Sequence, residues 1–239
     1  MTKTAVLYVF HEINDRVKHF VRKCTFESPD VDFYIIANSL SIKFELPSHI
    51  KTLNRPNVGY DFGGWSECLL KDDMYKNYDN FIFANSSIIG PFLKSELNCK
   101  WTDIYINGLK DNVKLFGSTI NADGFNTKPM LSHVQSYIFS LDRETLEYLM
   151  SCDIFSITNY AGSYADAITK KEILMSEKII KNGWNIGCLM EYYKGVNFTK
   201  TPNISLLGDV MYFEYRGKIW KDEYELVFIK GNRINVTII

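Results

Sequence analysis

The sequence predicts an α/β fold: a Rossmann-like, mostly parallel sheet flanked by helices, followed by a C-terminal β-hairpin extension. In the first 90 or so residues, short apolar runs alternate with segments of helical periodicity, a pattern typical of doubly wound parallel sheets. The tail after residue 210 carries short β-rich runs separated by Arg-Gly and Gly-Asn turn signals. The chain has 239 residues, 46% of them hydrophobic, which suffices for one large core.

Apolar, β-rich runs mark the predicted strands, and a three-to-four spacing of apolar residues marks the predicted helices. The strands are expected at 4–10, 31–39, 49–55, 79–87, 113–120 and 135–141. The helices are expected at 12–24, 63–78, 142–150 and 166–183. Asp142 is the expected N-cap of the third helix. Gly183 is the expected residue just beyond the C-terminus of the fourth, because glycine adopts a positive φ without strain.

Charge and cysteine usage exclude several classes of protein. The net charge is -1, from 27 basic and 28 acidic residues without a long basic run, so no nucleic-acid partner is expected. The five cysteines are scattered and form no Cys-x-x-Cys pair, which argues against a disulfide framework and a zinc site. They indicate a reducing compartment, and we expect a cytoplasmic protein. No apolar run is long enough for an integral membrane segment.

Polar residues follow each of the first four predicted strands. They are His11, Asn38, Asn57 to Asp61, and Asn85 to Ser87. In open α/β sheets, ligands bind beyond the carboxyl ends of the strands. Asn, Ser and Gly are also ordinary turn residues, so this pattern alone leaves a binding site and simple turns as equal alternatives.

The stretch NRPNVGYDFGGW, residues 54–65, places three glycines around one acid, Asp61. Glycine lets a backbone approach another group closely. A tight turn with Asp61 as a helix N-cap is the structural alternative. A cap alone does not require Gly59, Gly63 and Gly64 together, so the stretch favours a ligand-binding loop.

Three segments in order resemble a known family. NRPNVGYDFGGW is followed by YDNFIFANSSIIGPF (78–92) and HVQSYIFSLDRETLEYL (133–149). Together they resemble the nucleotide-sugar-dependent glycosyltransferases of the GT-A fold, in particular the bacterial and viral polysaccharide enzymes related to rhamnan-synthesis proteins. The resemblance covers roughly residues 4–190. It implies transfer of a hexose, deoxyhexose or pentose from a UDP-, GDP- or dTDP-linked donor to a glycan or a lipid-linked acceptor.

The resemblance also implies an organisation and a donor site. We expect one glycosyltransferase domain over 1–239, with a nucleotide-sugar-binding half at 1–100, an acceptor and catalytic half at 101–209, and a β-rich tail at 210–239. The residues expected to bind the nucleotide sugar are His11, Asn38, Arg55, Asn57, Gly59, Asp61, Gly63, Gly64 and Ser86.

Metal dependence is an open alternative. GT-A enzymes usually carry Asp-x-Asp after the fourth strand, where the acids hold Mn²⁺ or Mg²⁺ against the donor diphosphate. Here Asn85 and Ser87 stand in the acid positions, and both are neutral oxygen donors. Either they help Asp61 to hold a cation, or the diphosphate is bound without metal by Arg55 or a lysine.

An inverting transfer needs a carboxylate to accept the proton of the acceptor hydroxyl. Glu172 lies eleven residues before Gly183, the register that the resemblance assigns to this base. Asp166 and Asp123 are the alternatives, and a solvated helical glutamate is the structural one. His133 and Gln135 are expected to contact the acceptor or the diphosphate.

Two other functions are alternatives for a sheet of this kind. A nucleotidylyltransferase is disfavoured, because no glycine-rich loop with a downstream Arg or Lys follows the first strand. A non-catalytic nucleotide- or carbohydrate-binding module on the same fold stays open, since Asp-x-Asp is absent. The tail at 210–239 is expected either to shape the acceptor groove or to form the contact of a homodimer.

Overall fold

The computed structural model describes residues 2–43, 46–121, 132–200 and 209–234. Strands and helices alternate along it. The strands are β1 (Thr4–Phe10), β2 (Val31–Ala37), β3 (Ile50–Asn54), β4 (Asn80–Asn85), β5 (Ile88–Ile89), β6 (Val113–Gly117), β7 (Ile120–Asn121), β8 (His133–Val134), β9 (Ile138–Asp142), β10 (Asn185–Cys188) and β11 (Ile229–Lys230). The α-helices are α1 (Asp15–His19), α2 (Tyr60–Leu70), α3 (Trp101–Asn107), α4 (Arg143–Ser151), α5 (Tyr164–Asp166), α6 (Leu174–Lys181) and α7 (Glu223–Leu226).

Several helices continue into tighter or wider turns. A π-helical turn over Phe20–Cys24 extends α1, and a π-helical stretch over Ala167–Ile173 joins α5 to α6. A 3₁₀ helix over Lys71–Asn77 follows α2. Two more 3₁₀ turns lie at Glu191–Tyr193 and Phe213–Tyr215.

A seven-stranded sheet in the order β10-β6-β9-β4-β1-β2-β3 forms the centre. Only β9 runs antiparallel, to β4 and β6, and the other pairs are parallel, which confirms the predicted mostly parallel α/β sheet. Every residue of β1 is buried. A parallel strand covered on both faces is expected to be continuously apolar, and this explains the run TAVLYVF.

Aromatic side chains fill the core on both faces of the sheet. Tyr8 of β1 stacks on Phe20 with ring centroids 3.9 Å apart. The next residue, Val9, points to the opposite face, because side chains alternate along a strand. On that face Trp65 of α2 packs edge-on against Phe83 and Phe139, each at 5.5 Å.

Helix starts follow their capping residues. The Asn14 side chain accepts from the backbone N–H groups of Arg16 and Val17, so α1 begins three residues later than the predicted position 12. Asp142 caps α4 as predicted, accepting from Thr145 N at 2.8 Å. Helix α2 begins at Tyr60 after Gly59, so Asp61 lies inside the helix and is not its N-cap.

The predicted C-terminal extension contributes one strand within residues 209–234. β11 pairs antiparallel with β5, Ile229 opposite Ile89, and Gly231 N donates to Ser87 O at 2.7 Å. The strand's partner thus comes from the segment just after β4. This pairing ties the tail to the carboxyl edge of the central sheet.

The cysteines and the longest helices bear on two expectations from the sequence, the reducing compartment and the lack of a membrane segment. All five cysteines are free thiols, and Cys99 is exposed. No helix among the described residues combines the length and the apolar character that a membrane crossing requires.

Candidate active site

A cavity of about 570 Å³ opens at the carboxyl edge of the sheet. Most of the residues predicted for the site line it together. They are His11, Asn38, Asn57, Asp61, Asn85, Ser86, Ser87, His133, Gln135 and Glu172. The ends of β1, β2 and β4 supply one side, and the π-helical stretch and the tail supply the other.

Asp61 and Asn85 are directly bonded inside the cavity. Asn85 Nδ2 donates to Asp61 Oδ2 at 2.9 Å. Burial raises the pKa of Asp61 to about 6, with Glu172 adding to the rise, while the Asn85 hydrogen bond and His11 oppose it. A carboxyl with this pKa is partly protonated near neutral pH and carries less negative charge than an ordinary aspartate.

The orientation of the Asn85 amide follows from its neighbour. Ser87 N is a backbone donor and points at Asn85 Oδ1 at 3.0 Å, so the amide oxygen must face it. The Ser87 hydroxyl donates to the same oxygen. The amide nitrogen therefore faces Asp61, and it cannot coordinate a cation.

These contacts fit a divalent cation poorly. Mg²⁺ and Mn²⁺ require several oxygen ligands, usually with carboxylates among them. Here the oxygen of Asn85 is engaged by Ser87, and Asp61 is the one carboxylate bonded to this group. Within the described ranges, no group of three His, Cys, Asp or Glu side chains is arranged to hold a metal ion.

Glu172 reaches the cavity from the π-helical stretch. Its Oε2 accepts from Ser136 N at 2.6 Å and from the Ser136 hydroxyl. Its Oε1 lies 3.7 Å from His133 Nε2, beyond hydrogen-bond length. The side chain is 12% exposed, so Glu172 is a positioned cavity carboxylate and not a solvated helical glutamate.

A buried lysine holds the segment that carries Glu172. Lys171 is 4% exposed, and its Nζ donates to the carbonyls of Asp153 and Asn159, the latter at 2.7 Å. Burial lowers the pKa of Lys171. The ammonium thus anchors the stretch on the loop 153–159, so that Glu172, the next residue, faces the cavity.

Asp166, the second candidate base, lies outside the cavity. Asp166 pairs with Lys170 on the surface at 2.9 Å, and it does not line the cavity. The Lys170 hydrogen bond lowers the pKa of Asp166. Asp123 lies outside the described residues.

Arg55, predicted to bind the donor, is a buried structural residue instead. It is 2% exposed and donates to Asn38 Oδ1, Val58 O and Glu67 Oε1 at 2.6–2.7 Å. Its guanidinium is held by these acceptors and does not line the cavity. It braces Asn38, whose Nδ2 donates to Tyr60 O at 3.0 Å.

The glycines of the 54–65 stretch also lie behind the cavity wall. Gly59 has φ +74°, and a Cβ there would lie 2.5 Å from the Tyr160 ring. A Cβ on Gly64 would lie 2.7 Å from Val9 Cγ2 and 2.9 Å from Asn38 Oδ1, and one on Gly63 would collide with Val58 O. Close approach is required, as predicted, but the groups that approach belong to the protein.

Gln135 leads to residues that the sequence analysis missed. Its Oε1 accepts from Thr119 Oγ1 at 2.7 Å, and its Nε2 donates to Asp209 Oδ1 at 2.9 Å. Asp209, Lys230 and Arg233 all line the cavity. The Gly-Asn turn signal at 231–232 marked their neighbourhood, but nothing local in the sequence connects them to the sheet edge.

Two exposed aromatic rings stand at the cavity. Tyr60 and Tyr164 both line it, with ring centroids 6.4 Å apart in an edge-to-face arrangement. Tyr60 has φ +57°, an uncommon value for a residue with a side chain. Aromatic faces in such a position can stack on a sugar ring or a base.

Comparisons with known proteins give one family match and several similar solved structures. The model of the family described as RgpF, Rhamnan synthesis protein F, matches residues 34–214, a range that contains Asp61, Asn85 and Glu172. Solved structures similar to the chain include A197 from STIV, at 12% identity and TM-score 0.35, covering 61% of this chain and 68% of that one. Another is a glycosyltransferase involved in the glycosylation of the major capsid of PBCV-1, at 12% identity and TM-score 0.43, covering 95% and 93%. No curated protein sequence matches the chain.

Proposed function

Because the chain belongs to the rhamnan synthesis protein F family, we propose that it is a glycosyltransferase that moves a sugar from a nucleoside-diphosphate donor to a glycan or lipid-linked acceptor, with inversion. One observation carries the proposal. The carboxylate of Glu172 lies in the same cavity as the polar residues that end β1, β2 and β4. In this proposal the base and the donor-binding edge therefore share one cavity of about 570 Å³.

In the proposed reaction, the oxygen of an acceptor hydroxyl forms a bond to the anomeric carbon of the donor sugar. The bond from that carbon to the diphosphate oxygen breaks, and its electron pair leaves with the diphosphate. The hydroxyl proton passes to Glu172. Attack from the side opposite to the leaving group inverts the anomeric centre, as in any single in-line displacement, and the base assists by removing the proton.

The surroundings of Glu172 suit this role. Ser136 fixes Oε2 through its backbone N–H and its hydroxyl, and the carboxylate orientation is thereby set before the substrate arrives. Oε1 is the oxygen assigned to the acceptor proton. His133, 3.7 Å from Oε1, is close enough to form a new contact when an acceptor enters.

The donor is assigned to the strand ends. His11 and Asn57 offer polar contacts to the base and ribose of a UDP-, GDP- or dTDP-sugar, Asn38 shapes the wall beside them, and Asp61 is available to the sugar. The aromatic pair Tyr60 and Tyr164 offers a stacking surface. A donor half at 1–100, a catalytic half at 101–209, a cytoplasmic location and a homodimer remain predictions.

The test is a panel of UDP-, GDP- and dTDP-sugars, each scored by thermal shift and by release of nucleoside diphosphate with and without candidate glycan acceptors. The panel is run in EDTA and in Mn²⁺. The proposal expects one donor to raise the melting temperature and to be turned over faster when an acceptor is present. Donor binding without any release would favour the non-catalytic binding module, and no binding to any donor would contradict both.

A further inference from the structure

The tail brings two cations, Lys230 and Arg233, to the cavity. Asp209 Oδ2 lies 3.9 Å from Lys230 Nζ and 3.9 Å from Arg233 Nε. Both contacts are too long for hydrogen bonds and are Coulombic only. One carboxylate thus faces two cations, and the cluster of these three residues carries a formal charge of +1.

Asp209 is held by groups other than the cations. Its Oδ1 accepts from Gln135 Nε2 at 2.9 Å and from Met211 N at 3.0 Å. These neutral donors fix the carboxylate without the help of Lys230 or Arg233. An anion that enters the cavity can therefore draw both cations toward itself without releasing Asp209.

Aromatic faces position the two cations. Lys230 Nζ lies 5.5 Å from the centroid of the Tyr137 ring, and the Arg233 guanidinium lies 5.5 Å from that of Tyr212. Cation–π contacts orient these side chains and leave their N–H groups available as donors. The side chains are 19% and 44% exposed, so solvent and ligands can reach them.

The backbone joins this cluster to the end of β4. Gly231, between the two cations in sequence, donates its N–H to Ser87 O at 2.7 Å. Ser87 stands where the resemblance expects the second acid of Asp-x-Asp, beside the donor diphosphate. The cations are thus anchored next to the expected diphosphate position, while the Asn85, Ser87 and Asp61 contacts fit a metal ion poorly.

We propose that Lys230 and Arg233 bind the diphosphate of the donor in the role that a divalent cation fills in enzymes with Asp-x-Asp; this rests on the proposed glycosyltransferase function. The planar guanidinium matches two phosphate oxygens at once, and the ammonium adds a compact charge. When the anomeric bond breaks, negative charge grows on the diphosphate. Fixed cations at that point stabilise the departing group.

The experiment compares nucleoside diphosphates with the matching nucleosides. UDP, GDP and dTDP, and uridine, guanosine and thymidine, are titrated calorimetrically into the wild type, Lys230→Gln, Arg233→Gln and the double variant, in excess EDTA and again in Mn²⁺. Lys218→Gln is the matched control, because it removes an exposed lysine of the same tail segment that does not line the cavity. Lys230→Arg keeps the charge, and thermal melts check that each variant folds.

The proposal expects a nucleoside diphosphate to bind the wild type in EDTA. Each neutralising substitution should weaken it by about 10- to 100-fold, the loss of one charge-assisted contact, without weakening the nucleoside. Lys218→Gln and Lys230→Arg should bind like the wild type. These results together would support the cation pair.

Two other outcomes overturn the proposal in different ways. If the nucleoside diphosphate binds only with Mn²⁺, or binds the double variant as tightly as the wild type, the cation pair is wrong and the glycosyltransferase function stands. If none of the three nucleoside diphosphates binds the wild type under either condition, the cation pair and the proposed function both fall.

Discussion

The cavity has two walls of opposite character. The strand-end wall consists of His11, Asn38, Asp61, Asn85 and Ser87. Asp61, Asn85 and Ser87 are bonded to one another, and Asn38 is bonded to Arg55 and to Tyr60 O. The charged wall consists of Glu172, Asp209, Lys230 and Arg233, which come from the π-helical stretch and the tail. Hydrogen bonds within the protein hold most of the first wall, and the second wall presents charged groups to the space between them.

This difference suggests a division of tasks. Groups fixed by their neighbours are suited to recognise a shape, because they need no rearrangement when a ligand arrives. Charges that face an open cavity are suited to accept a proton or to hold an anion. Substitutions of the residues that support the strand-end wall should therefore appear mainly in stability, and those in the charged wall mainly in binding of the diphosphate and in turnover.

The largest effect is expected from Glu172→Gln. Loss of a general base typically lowers the rate by about 10²- to 10⁴-fold, and the amide keeps the shape of the carboxylate, so donor affinity should be unchanged. Single-turnover release of nucleoside diphosphate measures it. Asp166→Asn is the control, since Asp166 is a surface residue, and it should retain full turnover. Equal losses in both variants would remove Glu172 from the mechanism.

Arg55→Met tests the support behind the strand-end wall. The variant leaves Asn38, Val58 and Glu67 without their buried donor, and we expect a loss of about 2–4 kcal/mol in the free energy of unfolding. Chemical denaturation measures it against Arg22→Met, an exposed arginine that should change little.

The stabilisation from the ion pair between Arg55 and Glu67 depends on pH in a defined way. The Arg55 hydrogen bond lowers the pKa of Glu67 below its ordinary value of 4.5. The ion pair therefore stabilises the fold fully at pH values above the pKa that Glu67 has in the unfolded chain. This contribution is lost as the pH falls from there through the lower pKa of Glu67 in the folded protein. The wild type should lose stability in acid more steeply than Arg55→Met, and identical acid limbs would mean that the ion pair contributes nothing.

Asp61→Asn measures how much the free energy of unfolding is lowered by the buried carboxyl of Asp61. Because the folded pKa is raised from 3.8 to about 6, the wild type should lose stability as the pH rises between these values. At pH 8 the variant should be more stable by up to roughly 2–3 kcal/mol, and at pH 4 the difference should be small. Thermal melts of the wild type and the variant between pH 4 and pH 8 measure this difference in stability. Parallel curves would show that Asp61 ionises at an ordinary pKa.

The smallest effect is expected from Gly64→Ala. The new methyl would meet Val9 and Asn38 inside 3 Å, and overpacking of this kind should lower stability by about 1–3 kcal/mol. Gly162→Ala is the matched control, because its Cβ meets only Asp166 Oδ2 at 3.5 Å. If Gly64→Ala is as stable as the control, the packing behind the strand-end wall is looser than described.

The residues of the strand-end wall could be predicted because short, local sequence patterns identify them. Each strand is an apolar run, and the polar residue after it falls at the carboxyl edge by the geometry of parallel sheets. The register of the resemblance pointed to Glu172, whose carboxylate does line the cavity, while its role as the base stays a prediction. The three glycines indicated that other atoms approach the backbone closely there. They did not indicate that these atoms belong to Tyr160, Val58 and Val9.

The charged tail could not be predicted in the same way. Lys230 and Arg233 reach the cavity because β11 pairs with β5, a contact between distant segments that leaves no periodic signal in either. Arg55 illustrates the converse error. An arginine beside a predicted binding loop suggests an anion site, but its burial against Asn38 and Glu67 becomes visible only when the helix and the strands are assembled.

The π-helical stretch Ala167–Ile173 makes the site unusually sensitive to insertions and deletions. A π turn holds more residues than an α turn, so it is equivalent to one residue inserted into a regular helix. Inserting one residue directly after Glu172 would rotate its side chain by about 100° relative to α6, the helix that follows. A change of chain length by one residue would thus turn the carboxylate away from the cavity, although every side chain of the site were retained.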